Sequence, residues 1–285
     1  MDTYTHEYLK NSNKSNIKIY LIEDLENEIN GLKTAKKNRN KVEYFFTCSP
    51  AVCKYVLLKN SDISSITYLD SDLYFFSSPS LIFDEIADHS IAIIEHRFHW
   101  ITKRQIKYGK FNVGWVTFKN DNEGNKCLDQ WLRDCINWCY QKVDEERYGD
   151  QKYLDKWPSM YKNLKIVQNI GANVAIWNIK NYKLKLKKNL VYINDSPLIF
   201  YHFANIFQIS SYKYNTNLSR VFVSLTGVLK NNIYKPYLEK LNYYSNNGTI
   251  NFKIDKQNKG IKKSIINISR AFRSSLFNDI INLKK

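Results

Sequence analysis

The stretch ITYLDSDLYFF, residues 66–76, places two carboxylates, Asp70 and Asp72, directly behind an apolar run of strand length. Burying an unpaired carboxylate is costly, so acids beside a hydrophobic strand usually have a partner. Residues two apart in an extended segment point to the same side. We therefore predict that both carboxylates converge on one cation at the end of this strand.

Apolar runs of strand length alternate with helical patterns on both sides of that stretch. The pattern predicts strands at 16–23, 64–69, 90–95, 110–118, 164–168, 173–178 and 197–203, and helices at 24–38, 49–60, 79–87, 125–142 and 149–156. Such alternation is typical of an α/β sheet. Ligands of open α/β sheets bind outside the carboxyl ends of the strands, which is where Asp70 and Asp72 are expected.

The charge of the chain indicates an anionic partner. The 285 residues carry a formal net charge of +16, and residues 253–285 hold nine Lys/Arg against two Asp/Glu. Apolar residues recur there every three to four positions, which predicts an amphipathic helix with basic flanks: Ile261, Ile265, Ile268, Phe272, Leu276 and Ile280. This helix either lies on an anionic membrane surface or docks on its own domain. No nucleic-acid-binding motif is present, so we expect no nucleic-acid partner.

The cysteines and the hydropathy pattern favour a cytoplasmic protein. Five cysteines without paired spacing fit a reducing compartment. Cys135 and Cys139 are four residues apart and either bind a metal or pack in the core. No secretory signal pattern is visible, and no apolar run approaches the roughly 18 residues that span a bilayer.

Two enzyme classes place Asp-x-Asp behind a strand. Aspartate-nucleophile phosphatases need a small residue or Thr two positions further on and a later acidic pair, but Leu73 and Tyr74 follow here and no Asp-Asp dipeptide occurs. The other class comprises metal-dependent nucleotide-sugar glycosyltransferases, in which a hard divalent ion takes carboxylate and phosphate oxygens. The motif alone favours the second class.

Six blocks resemble, in order, those of bacterial nucleotide-diphospho-sugar transferases similar to glycosyltransferase family 8. The blocks are KKNRNKVEYFFTCSP (36–50), YLDSDLYFF (68–76), FNVGWVTFKN (111–120), GDQKYLDKWP (149–158), GANVAIWNIKNY (171–182) and PLIFYHF (197–203). The resemblance covers about residues 1 to 205. It implies a GT-A fold, the Rossmann-like fold of nucleotide-diphospho-sugar transferases, over residues 1–228. A basic, partly helical extension is expected over 229–285.

The resemblance also implies a ligand set for Mn²⁺ or Mg²⁺. Asp70 and Asp72 would hold the ion that bridges the donor diphosphate, and His202 resembles the third protein ligand. A hydrogen-bonded core histidine is the alternative for His202, although histidine is a common metal ligand.

Further site residues are predicted around that ion. Asp150 and Gln151 would face the sugar near the reacting carbon, and the alternative for Asp150 is that it caps a helix. Donor contacts are expected from side chains and from one glycine, where a missing side chain lets a ligand approach: Lys36, Arg39, Asn112, Gly114 and Asn173. Lys36 and Arg39 have the alternative of a solvated helix face.

The function implied by the resemblance is transfer of a sugar from a nucleoside-diphosphate donor, UDP-linked by expectation, to a glycan or lipid-linked acceptor. Retention of anomeric configuration and a place in polysaccharide biosynthesis are implied with it. The first residues of this chain match only the part of the family that follows its opening strands. The alternative is therefore an N-terminally truncated, inactive relative that acts as a binding partner.

Overall fold

The computed structural model of the protein describes residues 3–11, 14–247 and 274–284. These residues form two compact units that interleave along the chain. The first unit takes its residues from 1–70, 82–96 and 104–168, and the second from 71–81, 97–103 and 169–285. The predicted domain division between residues 228 and 229 stays a prediction.

The described chain contains helices and short strands throughout. Its helices are α1 (Thr3–Asn11), α2 (Ile22–Glu28), α3 (Leu32–Asn38), α4 (Lys41–Lys59), α5 (Ser80–Ile86), α6 (Asn122–Asn137), α7 (Trp157–Met160) and α8 (Lys235–Asn247). Its strands are β1 (Ser65–Leu69), β2 (Leu73–Phe75), β3 (Ile91–Glu95), β4 (Phe111–Lys119), β5 (Leu164–Val167), β6 (Val174–Ala175), β7 (Leu184–Lys187), β8 (Leu190–Ile193), β9 (Ser196–Pro197), β10 (Phe200–His202), β11 (Phe207–Ser210), β12 (Lys213–Asn215) and β13 (Ile280–Asn282). The predicted α/β class is thus confirmed.

The first unit is built on a four-stranded sheet in the order β1-β4-β3-β5. Strand β4 is antiparallel to both neighbours, and β5 is parallel to β3. Helix α6 packs on the sheet because its apolar residues share one face. Trp131 of this helix lies 5.9 Å from Phe118 and 5.7 Å from Trp157 between ring centroids. Cys135 and Cys139 are buried free thiols in the same core, as the packing alternative predicts.

Helix α4 begins earlier than the sequence predicts. The expected start was the Ser49–Pro50 pair, but the helix begins after Asn40, whose side chain accepts hydrogen bonds from the backbone N–H groups of Val42 and Glu43. The Glu43 carboxylate in turn accepts from the Asn40 backbone N–H, which completes a capping box. Pro50 is therefore inside the helix, and the Ser49 hydroxyl is available for another contact.

The prediction of an N-terminal strand at 16–23 is wrong. Residues 18–21 have no regular secondary structure, and helix α2 begins at Ile22. The single helix predicted at 24–38 is divided into α2 and α3 by Gly31, whose φ of +89° suits glycine. Leu25 and Leu32 on the two sides of this break are both buried in one cluster.

The described residues of the second unit form three small three-stranded sheets. Their orders are β2-β10-β6, β7-β8-β9 and β11-β12-β13. Strand β10 is antiparallel to β2 and parallel to β6. The core of the unit is rich in aromatic rings, among which Phe203 and Tyr237 are stacked with centroids 3.9 Å apart. Within the described residues, Leu229 and Leu238, from the predicted extension, are buried in this core.

The C-terminal helix predicted from Ile261 to Ile280 falls mostly outside the described residues. Ile280, its last apolar position, lies instead in strand β13, which pairs antiparallel with β12. The helical assignment of Ile280 is therefore wrong, because its backbone hydrogen bonds go to a strand. Among the described helices, none is both long and apolar enough to cross a bilayer.

Candidate functional site

Asp72 and His202 form a close pair within the second unit. Strands β2 and β10 pair His202 with Leu73, the residue after Asp72. The backbone N–H of Phe203 donates to the Asp72 carbonyl at 2.8 Å. These contacts set His202 Nε2 2.9 Å from Asp72 Oδ1. Two groups that are 130 positions apart in the chain are thus aligned by strand pairing.

The environment of this pair favours a charged carboxylate. Burial opposes ionisation of Asp72, but the hydrogen bond and the charge of His202 outweigh it and lower the pKa of Asp72 below its ordinary value. His202 itself is buried, and its ring meets that of Trp177 edge-on with centroids 5.0 Å apart. Burial, and then the charge of Asp72, raise the pKa of Tyr237 to about 12.

Asp70 precedes Asp72 in the sequence, with only Ser71 between them. The ligand atoms of Asp70, Asp72 and His202 all lie within 4.8 Å of one another. Two carboxylate oxygens and an imidazole nitrogen are donors that Mn²⁺ and Mg²⁺ accept. This donor set therefore fits the predicted divalent ion.

Asp150 lies in a buried network of the first unit. Ser49 Oγ, on helix α4, donates to Asp150 Oδ2 at 2.7 Å, and Trp131 Nε1 donates to the Asp150 carbonyl at 2.9 Å. Ser49 Oγ also lies 3.3 Å from the hydroxyl of Tyr68 on β1. Burial, and then the negative charge of Asp70, raise the pKa of Asp150 to about 7, against the hydrogen bond from Ser49.

The position of Asp150 depends on the glycine before it. Gly149 has φ +52°, and a Cβ atom there would lie 3.1 Å from the ring of Phe46. The predicted neighbour Gln151 donates from Nε2 to the Tyr108 carbonyl at 2.9 Å. Asp150 does not cap a regular α-helix, because the following turn, Lys152–Lys156, is a 3₁₀ helix without a side-chain cap.

Asn112 and Gly114 build a bulge in strand β4. The register with β3 shifts between Ile93 and Ile94, which pair with Val116 and Asn112 respectively. Asn112 Oδ1 accepts from the Gly114 N–H at 3.1 Å, and its Nδ2 lies 3.2 Å from His96 Nε2. Both predicted donor-binding residues therefore shape the strand, and β-bulges are common beside active sites.

Asn173 lies in the second unit at the start of β6, the neighbour of the His202 strand. It is fully buried and has φ +58°, a left-handed conformation that Asn tolerates. Its carbonyl accepts from Asn178 Nδ2 at 2.9 Å.

Lys36 and Arg39 line a cavity of about 660 Å³ in the first unit. Lys36 Nζ is paired with Glu26 at 2.7 Å. Arg39 is buried, and its guanidinium donates to Thr47 Oγ1 and to the carbonyls of Cys135 at 2.7 Å and Ile136 at 2.6 Å. The rings that line the cavity are those of Tyr20, Tyr44, Phe45, Tyr55 and Tyr68. Contact of Lys36 and Arg39 with a donor stays a prediction.

Several contacts of these groups were not predicted from the sequence. Ser49 and Tyr68 approach Asp150, while Trp177 and Tyr237 approach the Asp72–His202 pair. The sequence predicts only that a helix begins at Ser49, and nothing local in the sequence indicates a partner 101 residues away. Tyr68 is within ITYLDSDLYFF, so its nearness to Asp70 was the one detectable signal.

Comparison with known proteins finds two relatives in Bacillus subtilis strain 168, both uncharacterized. One, YfnD, is 40% identical over 190 residues, which are 65% of this chain and 60% of YfnD. The other, YfnF, is 32% identical over 212 residues, which are 72% of this chain and 69% of YfnF. The chain thus spans about 60% of the length of YfnD. No family model matches the chain.

Proposed function

The chain belongs to the family of YfnF, and we propose that it is a metal-dependent glycosyltransferase that moves a sugar from a nucleoside-diphosphate donor to a glycan or lipid-linked acceptor. The observation that carries the proposal is the group of Asp70, Asp72 and His202, whose ligand atoms lie within 4.8 Å of one another. In YfnF and YfnD this function is equally open, since both are uncharacterized.

Asp70, Asp72 and His202 would hold the ion. A divalent ion held by these residues would supply positive charge that stabilises a leaving diphosphate. Asp72 contributes a carboxylate whose pKa lies below its ordinary value, because the hydrogen bond and charge of His202 outweigh the effect of burial. The edge-on contact with Trp177 and the strand pairing with β2 fix the orientation of the His202 ring.

The aromatic cavity of the first unit supports a role in donor binding. Its volume of about 660 Å³ falls in the range of small-molecule sites. Its rings offer stacking surfaces for a nucleobase, and Ser49 and Tyr68 connect its lining with Asp150. We propose that the nucleoside part of the donor lies against these rings.

Asp150 and Gln151 are the proposed catalytic pair. Departure of the diphosphate leaves positive charge on the anomeric carbon of the sugar, and an ionised carboxylate stabilises that charge. With a pKa of about 7, Asp150 is about half ionised at neutral pH, so transfer should rise as the pH passes through that value. Gln151 Nε2 is held by Tyr108, which leaves its Oε1 as an acceptor for a sugar hydroxyl.

The test is release of UDP from a panel of UDP-sugars by the purified chain with Mn²⁺, with and without a chelator. The proposal predicts metal-dependent release for at least one sugar, and a loss of more than about a hundredfold in Asp150→Asn. Asp62→Asn, at an exposed position, is the control. Release that is equal in both variants, or that ignores the chelator, would contradict the proposal.

A further inference from the structure

The most exposed large apolar side chain among the described residues is Trp100, at 75% exposure. The loop that carries it is well fixed. Thr102 Oγ1 donates to the Trp177 carbonyl at 2.6 Å, and Asn181 Nδ2 donates to the Arg97 carbonyl at 2.7 Å. A rigid loop thus holds an indole ring in solvent, at the cost of the burial that normally stabilises tryptophan.

The strand that follows Asn181 leads into a basic hairpin, β7–β8. Lys188 and Asn189 form its two-residue turn with φ +47° and +65°, the geometry of a tight hairpin turn. Leu186 and Leu190, on the two sides of this turn, are each 44% exposed. A well-defined turn therefore presents two leucines among lysines.

Lys180 links the Trp100 loop to a third exposed apolar group. Its Nζ donates to the Phe222 carbonyl at 3.4 Å, and the Phe222 side chain is 51% exposed. The hydrogen bond from Asn181 to the Arg97 carbonyl connects the residue after Lys180 to the loop that carries Trp100. Trp100, Lys180 and Phe222 therefore belong to one region of the second unit.

This region is strongly positive. Residues 180–195, which include the hairpin, contain five lysines and a single acid, Asp195. Asp195 offsets Lys185 at 3.1 Å and approaches Lys187 at 3.9 Å. Lys180, Lys183 and Lys188 add charge that this one carboxylate does not balance. Charge complementarity thus calls for an anionic partner with an apolar component.

We propose that Trp100, Lys180, Lys183, the Leu186–Leu190 hairpin tip and Phe222 together form one basic face, and that this face docks on an anionic lipid bilayer. Indole rings favour the boundary between headgroups and acyl chains, and lysine stems extend along apolar surface while their ammonium groups contact lipid phosphates. A soluble polyanion would use the lysines but not the exposed indole and leucines. The inference is independent of sugar transfer and goes beyond it.

The experiment measures partition of the full chain onto phosphatidylcholine vesicles with and without phosphatidylglycerol. Lys187→Glu/Lys188→Glu should weaken partition at least about tenfold, because each lysine near an anionic surface contributes roughly a factor of five. High salt screens the attraction of the lysines, so the binding that remains at high salt is the apolar component, and Trp100→Ser should remove it. Lys126→Glu/Lys142→Glu, in the first unit, makes the same change in net charge at other exposed positions.

The expected result is loss of binding in the hairpin and Trp100 variants and retention in the Lys126/Lys142 control. Equal loss in the control would show that the net charge acts rather than this face, and would overturn the proposal. Full binding in both face variants would overturn it as well. The proposal would also be overturned if the native protein bound no vesicle but bound dextran sulfate tightly and the hairpin variant lost that binding.

Discussion

Ser49 Oγ donates a 2.7 Å hydrogen bond to Asp150 Oδ2, although the two residues are 101 positions apart. The bond joins helix α4 to the turn that follows Gly149, within the first unit. It gives a buried carboxyl a single neutral side-chain donor, which opposes but does not cancel the effect of burial on its pKa.

Asp150→Asn should make stability less dependent on pH. The folded-state pKa of Asp150, about 7, is above its ordinary value of 3.8, so the folded protein retains a proton that the unfolded chain has lost. This contribution is present below pH 4 and is lost as the pH rises to 7. In urea unfolding, the free energy of unfolding of the variant relative to that of the native protein should increase by roughly 2 kcal/mol from mildly acidic to alkaline pH. A constant difference would contradict the raised pKa.

Ser49→Ala should destabilise the protein more at alkaline than at acid pH. The hydroxyl stabilises the ionised carboxylate, and hydrogen bonds to charged groups contribute about 1.5–3 kcal/mol. Without it the pKa of Asp150 should rise further, so the alkaline rise of activity should move to higher pH. Paired urea unfolding and pH–rate profiles measure both effects. Ser159→Ala, at an exposed serine, controls for the loss of a hydroxyl.

Arg39→Lys tests whether this guanidinium is structural. It donates to the carbonyls of Cys135 and Ile136 at the end of α6, and its plane lies 5.3 Å from the Tyr140 ring centroid. A lysine lacks the planar fork, so the free energy of unfolding should fall by about 1–3 kcal/mol. Exposed Lys37→Ala is the control. Unchanged stability with lost UDP binding would instead assign Arg39 to the donor phosphates.

Gly149→Ala should destabilise the turn before Asp150. Its φ of +52° is strained for alanine, and the added Cβ would lie 3.1 Å from the Phe46 ring. Gly227 has the same φ of +52° with nothing within 4 Å of its Cβ position, so Gly227→Ala is a matched control. The difference between the two variants should be about 1 kcal/mol or more in urea unfolding. Equal costs would show that the Phe46 contact does not matter.

Much of the sheet and part of the site were predictable from the sequence, because the patterns are local. Strand β1, the acids behind it and the strand ending at His202 follow from short apolar runs. The strand prediction at 16–23 was wrong, because the apolar pattern resembles that of a strand but the described structure shows no strand pairing there. The predicted helix start at Ser49 was also wrong. The capping box of Asn40 and Glu43 begins the helix earlier, and the Ser49 side chain instead hydrogen-bonds Asp150, which is distant in sequence.

Asp72, with Asp70 and His202, is proposed to bind a divalent ion together with a nucleoside diphosphate. Calorimetric titration of the full chain with UDP, with and without Mn²⁺, measures this binding beside Asp72→Ala and exposed Asp62→Ala. We expect Mn²⁺-dependent binding in the native protein and in Asp62→Ala, and its loss in Asp72→Ala. Binding that persists in the folded Asp72→Ala variant, or a folded native chain that binds no nucleoside diphosphate with Mn²⁺, would contradict the proposal.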